Sequence, residues 1–242
     1  MVDIHCHILP GIDDGSDSWE TTLEMCRIAA DDGITHIVAT PHANEEFMYS
    51  RNGHGKLLSE LQARVPSLKF TLGCDFHMSY ENIEDALLDP APFAIGDTKY
   101  ILVEFNNFSP PQQMNTSMFR LRSGDLVPIV THPERNPQLQ RNLQTVVQWA
   151  ASGAVIQVTA GAFLGKWGST AQRAAEYLLA HQAVQVIATD AHETRRRTPQ
   201  MAEARKVIAR LTSEEIARHL AVSNPSAIAA GHALPYSPKP KL

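Results

Sequence analysis

The sequence is poor in cysteine, in long apolar runs and in excess basic charge. Its three cysteines, Cys6, Cys26 and Cys74, are an odd and scattered set, which excludes a disulfide framework. All three read as core packing. No run of about 18 apolar residues occurs, so no transmembrane helix and no direct membrane insertion are expected. A net charge of −5 argues against a general nucleic-acid or membrane surface. The first residues do not combine a basic segment with an apolar stretch, so no signal peptide is expected. A cytoplasmic location is the expectation that follows.

What is present is an alternation of short apolar runs and helical patterns. Strands are expected over 2–7, 36–40, 68–75, 100–105, 127–131, 154–159 and 184–189. Helical periodicity falls near 18–32, 56–65, 83–88, 114–122, 139–152, 169–181, 199–210 and 213–220. Short buried strands alternating with helices indicate an α/β fold with a parallel sheet. With 242 residues, 43% of them hydrophobic, one domain is expected over 1–233. Residues 234–242 hold three prolines and two lysines and are expected to be poorly ordered.

Chemistry collects at the strand ends. The opening, MVDIHCHILPGIDDG, places His5 and His7 two apart, on one face of a strand, and then turns through Asp13 and Asp14. His42, Asp75, Glu104, His132, Asp190 and His192 follow or close the later strands. In a closed βα barrel these ends share one face, where active sites sit; in an open sheet they would spread along a line. That argument favours a barrel, with imidazole and carboxylate ligands for divalent zinc, manganese or iron. His36, His54, His181, His219 and His232 read as solvated, and His77 as a minor extra ligand.

DIHCHILPGIDDG, TPH at 40–42, HPER at 132–135 and TDAH at 189–192 resemble the polymerase-and-histidinol-phosphatase (PHP) superfamily. Within it they are most similar to the bacterial manganese-dependent protein-tyrosine phosphatases of capsule and exopolysaccharide operons. The likeness runs from residue 1 to about residue 231. It implies a distorted βα barrel of seven strands and a site for three divalent ions, manganese first and iron or zinc as alternatives. His5, His7 and Asp190 match ligands of the first ion, Glu104 and His132 of the second, and Asp14, His42 and His192 of the third. The family bridges two ions with a glutamate after Gly-x; here Gly73-Cys74-Asp75 offers a carboxylate one methylene shorter. Arg135 and Arg197 match arginines that hold the phosphate.

Charge supports a phosphate substrate. Four carboxylates facing three divalent ions leave a surplus that suits a phosphate monoester dianion. The resemblance implies hydrolysis of phosphotyrosine on a protein, such as the flexible tail of a bacterial tyrosine kinase, with metal-activated water attacking phosphorus in line. Phe47, Met48 and Tyr49, with Phe108 before the Pro110–Pro111 pair, are candidates to hold the ring. Two other readings stay open: a phosphoesterase acting on a small molecule such as histidinol phosphate or a nucleotide, and a metal-binding regulatory protein without turnover. The oligomeric state is not legible.

Overall fold

The computed structural model describes residues 1–108 and 111–242, so the expectation at Pro110 lies outside the described residues. The strands are β1 (Val2–Cys6), β2 (His36–Ala39), β3 (His42–Ala43), β4 (Lys69–Leu72), β5 (Asp75–His77), β6 (Tyr100–Glu104), β7 (Val127–Thr131), β8 (Val155–Thr159) and β9 (Val186–Ala188). They form two parallel sheets, one in the order β1-β2-β4 and the other in the order β3-β5-β6-β7-β8-β9. Helices connect most successive strands, as parallel pairing requires.

One expected strand is broken in two and another is followed by a further short strand. The run 36–40 ends at β2, because Pro41 has no N–H to continue a ladder, and β3 forms just beyond it. The run 68–75 breaks at Gly73-Cys74. A Cβ on Gly73 would lie 3.1 to 3.3 Å from the side chains of Val38, Ile95 and Thr40, so the chain passes tightly there. Gly73 N–H donates to Ala39 O at 2.8 Å and Asp75 N–H to Pro41 O at 3.0 Å, which carries both chains across the break in step. At the other edge Cys6 bridges Ala191, Asp190 N–H donates to His5 O and His7 N–H to Ala191 O, both at 2.8 Å. Neither sheet is itself a closed ring.

Alternate strand residues divide between two apolar clusters, which is why these strands read as continuous hydrophobic runs. Val2, Ile4, Val38, Leu102, Ile129 and Val186 pack together. Ile37, Ile101, Val103, Val130 and Ile156 pack outward against helix residues such as Met25, Leu121, Val147 and Leu178. Burial of each such side chain is worth roughly 1.5–3 kcal/mol.

A bulge in β1 orients the first two histidines. Asp3 pairs with Ile37, but Cys6 pairs with Ala39, so β1 carries one extra residue. In a regular strand Ile4 and Cys6 would share a face; instead Ile4 joins the strand-only cluster and Cys6 the helix-side cluster. The extra residue re-aims the strand and sends His5 and His7 to the side that Ile4 faces.

Other departures are local. The expected helix 139–152 is two, Pro137–Gln140 and Leu143–Ala151, and Asn136 caps the first by accepting from Gln138 N–H and Leu139 N–H. His36 and His54 are buried, and His36 Nε2 lies 2.9 Å from Thr71 Oγ1. Residues 234–242 form neither helix nor strand. Tyr236 ties them to the fold through paired hydrogen bonds with Asn224 at 2.7 and 3.0 Å, and its ring stacks on His219.

Candidate metal centre

Parallel strands bring their carboxyl ends together, and the nine predicted ligand residues gather there. His5 and His7 set the geometry. His5 Nδ1 lies 3.0 Å from Gln157 Oε1, and His7 Nδ1 lies 2.8 Å from Asp13 Oδ2. An oxygen partner at Nδ1 fixes the proton there and leaves Nε2 with its lone pair outward. The two Nε2 atoms face each other at 3.2 Å. Asp190 Oδ1 is 3.4 Å from one and 3.5 Å from the other, and Asp75 Oδ2 is 3.6 Å from His5 Nε2.

A second group surrounds Asp14. Its Oδ1 is 3.2 Å from His42 Nε2 and 3.3 Å from His192 Nε2. His192 Nδ1 meets the Asp190 carbonyl at 3.0 Å, again leaving Nε2 free. A third group joins His42 Nδ1 to Asp75 Oδ2 at 3.2 Å and to Glu104 Oε2 at 3.8 Å. Among the described residues the clusters able to hold an ion are therefore His7, Asp14, His42 and His192; His5, His7 and Asp75; and His42, Asp75 and Glu104. His132 and Asp190 belong to none of them, although His132 Nε2 is 3.5 Å from Glu104 Oε1 and Asp190 Oδ1 lies beside His5 and His7. Asp75, despite its shorter side chain, is shared by two.

The donor set fits divalent ions on an observation independent of residue type. His42 Nδ1, both Asp75 carboxylate oxygens and His192 Nε2 are buried and without hydrogen-bond partners. Buried polar atoms are ordinarily paired, so converging orphan lone pairs mark a place for a cation. Electrostatics agree. Burial opposes charge on His5, yet the Asp75 and Asp190 carboxylates raise it to about 9. His42 is raised to about 11 against the same burial, by Asp14 and Asp75. Burial and Asp75 push Glu104 up to about 8. Burial also opposes charge on Asp190, yet His5 and Arg135 hold its carboxyl well below the ordinary range. The cluster holds more negative charge than it can neutralise alone.

Two of the site residues have left-handed backbone, Asp190 at φ +51° and His132 at φ +34°. Non-glycine residues in this region store strain that the surrounding fold must hold. The turn after β1 is equally constrained. A Cβ on Gly15 would lie 2.3 Å from His7 O and 2.4 Å from His7 Cβ. Gly15→Ala will therefore displace His7 and the Asp13–Asp14 turn together, with a loss of stability of roughly 1–3 kcal/mol. Denaturant unfolding and phosphatase assay of the same preparation check this; wild-type values for both would contradict it.

Both predicted arginines reach the cluster. Arg135 Nη1 pairs with Asp190 Oδ2, and Arg197 Nη2 donates to the same oxygen at 2.8 Å. The Trp167 ring centroid lies 3.7 Å from the Arg135 guanidinium carbon and 5.4 Å from that of Arg197.

The family profile for capsular polysaccharide synthesis, CpsB/CapC, matches residues 1–230. The chain belongs to the CpsB/CapC family. It is 30% identical to the tyrosine-protein phosphatase YwqE of Bacillus subtilis (strain 168) over 221 residues, 89% of this chain and 87% of that one. It is 26% identical to the tyrosine-protein phosphatase CpsB of Streptococcus pneumoniae over 239 residues, 94% and 98% of the two chains. A crystal structure from work on YwqE and CpsB, described as metal-dependent tyrosine phosphatases, superposes with a TM-score of 0.89 at 28% identity, covering 100% of this chain and 98% of the other. A dihydropyrimidinase from Brevibacillus agri shares the fold alone, at a TM-score of 0.59 and 10% identity, with 95% of this chain and 70% of that one covered.

In this CpsB/CapC chain the orienting residues are less visible in sequence than the ligand candidates. Asp13 reads as half of a turn, yet it holds His7 Nδ1 and accepts from His42 N–H at 3.1 Å. Gln157 carries a signal in hindsight: a polar side chain in the middle of a buried strand, VIQVT, needs a partner, and the partner is His5. Asp3 is buried beneath them and accepts from Thr189 N–H at 3.0 Å. Trp167 carries no such signal.

Proposed function

We propose that this chain is a metal-dependent protein-tyrosine phosphatase serving capsular or exopolysaccharide synthesis. Its substrate is phosphotyrosine on a protein, with the tail of a bacterial tyrosine kinase as the fitting partner. One observation carries the reading: unpartnered imidazole and carboxylate atoms converge beside two guanidinium groups. That pairing suits a phosphate ester, since guanidinium forks match phosphate oxygens.

His5, His7, Asp14, His42, Asp75, Glu104, His132, Asp190 and His192 would hold three divalent ions, with manganese favoured over iron or zinc. Asp75, shared by two clusters, would serve both. Bound ions supply a lowered water pKa and Lewis-acid neutralisation of the phosphate. The rest is the work of the chain. Gln157 and Asp13 hold the protons of His5 and His7 at Nδ1, so that both Nε2 atoms point inward. Arg135 and Arg197 stabilise the charge that builds on the equatorial oxygens. The phenolic leaving group, with a pKa near 10, departs with little protonation. Cys6, Cys26 and Cys74 are buried, 2% exposed or less, and burial pushes each thiol up, so no cysteine serves as nucleophile.

The two sheets act as one distorted seven-stranded βα barrel within a single domain, residues 1–233. Continuity across Gly73-Cys74 and the Cys6–Ala191 bridge support this architecture. No helix is long and apolar enough to cross a membrane among the described residues. Three free thiols suit a reducing cytoplasm.

The test is substrate preference. With manganese present, kcat/KM for a phosphotyrosine peptide will exceed that for the matching phosphoserine peptide and for histidinol phosphate. Histidinol phosphate or a nucleotide as the best substrate by a wide margin would replace this reading with a small-molecule phosphoesterase, and no turnover of any ester would leave a metal-binding regulatory protein.

A further inference from the structure

We propose that the cavity walled by Phe105, Leu139, Trp167 and Ala171 is the subsite for the aromatic ring of the substrate. This rests on the phosphatase reading and names where its leaving group binds. The cavity is about 240 Å³ and opens at its inner end on Glu104, His132 and Arg135. It is thus continuous with the cluster proposed to take the phosphate. An apolar cavity of about 150 Å³ holds one benzene ring, so this one admits a phenyl group and leaves the peptide backbone outside.

Its walls are set by packing that does not depend on substrate. Phe105 stacks on Trp149 with centroids 5.4 Å apart, and Leu139 and Ala171 are each 2% exposed. Two of the amides along the lining, Asn136 and Gln140, are already committed. Asn136 donates to Phe105 O and Asn106 O and accepts from Gln138 N–H and Leu139 N–H, and Gln140 Nε2 donates to Glu134 O at 2.7 Å. The lining mixes these polar groups with the rings of Phe105 and Trp167, and an aryl ring can pack against the latter.

The aromatic loop singled out in the sequence is less suited. Tyr49 packs into its own loop, its ring 5.1 Å from His54 and 6.1 Å from Phe93, with its hydroxyl on Gly73 O. Met48 and Phe108 are 89% and 88% exposed. Phe47 stacks on His42 at 5.9 Å and lines neither of the cavities beside Arg135 and Arg197. A neighbouring cavity of about 260 Å³ beyond Trp167 is lined by Lys166, Arg196 and Arg197 and reaches none of the predicted metal ligands.

The experiment compares two competitive inhibitors on the metal-loaded enzyme, inorganic phosphate and phenylphosphonate, at a pH where both are dianions. Only the second carries a ring. Wild-type protein should bind phenylphosphonate at least about tenfold more tightly, the scale of burying one apolar side chain. Ala171→Leu, which fills the cavity, should erase that advantage and leave the phosphate inhibition constant unchanged. Leu139→Ala, which removes a wall, should reduce it selectively as well, and decides the matter should Ala171→Leu fail to fold. Phe47→Ala should leave both constants unchanged. The subsite is overturned if phenylphosphonate affinity survives both cavity variants, if it falls with Phe47→Ala instead, or if the two inhibitors weaken in parallel. Wild-type protein that binds neither dianion would overturn the phosphatase reading itself, a result visible before any variant is made.

Discussion

A strong chelator followed by dialysis will abolish the phosphatase activity of this chain, and manganese added back will restore it. The expectation follows from the orphaned atoms. His42 Nδ1, both oxygens of Asp75 and His192 Nε2 are buried without partners, and the Nε2 atoms of His5 and His7 face each other at 3.2 Å. Divalent ions held in these clusters would answer these atoms. Ions that bind only the folded chain also stabilise it. At a free concentration of 100 times Kd, one site contributes about 2.7 kcal/mol, which for a chain of this length raises Tm by roughly 5–11 °C. Activity assay and thermal unfolding of the same chelated and reloaded samples check both parts. Full turnover in metal-free protein would reject the metal centre.

Asp190→Ala will remove nearly all turnover, by at least about 10³-fold in kcat if it exceeds the loss of a single oxyanion donor. The Asp190 side chain touches both histidines of the opening strand and both arginines. One oxygen lies within 3.5 Å of both His5 Nε2 and His7 Nε2, and the other pairs with Arg135 and Arg197. The change therefore removes a proposed ligand and frees two cations together. Arg135→Ala provides the contrast: it should lower kcat while the chain keeps its full metal content. Metal analysis of the two variants separates the roles. An unchanged kcat in Asp190→Ala would refute its place in the site, and full metal content in both variants would show that Asp190 only orients the arginines.

The strand-end positions and the βα alternation were legible because they are local. A period of two in runs such as DIHCH, turn residues after them, and helical spacing between them depend on neighbours within a few residues. Those signals placed His5, His7, Asp14, His42, Asp75, Glu104 and His192 where the structure brings their ligand atoms together. Some features that decide the site are not local. The bulge in β1 exists only against β2, where Asp3 meets Ile37 but Cys6 meets Ala39, and without it Ile4 and His5 would face opposite ways. The break at Gly73 is set by the side chains of Val38, Thr40 and Ile95, and it positions Asp75 so that a short carboxylate reaches two clusters. Gln157 finds His5 across 152 residues of chain, and Trp167 meets Arg135 and Arg197 from a helical connection that carries no periodic mark. Sequence by itself determined which chemistry is available and which strand ends carry it. Only the tertiary structure decided which lone pairs converge, which residues orient them and where a ring can lie, because those distances are set by contacts between segments far apart in the chain.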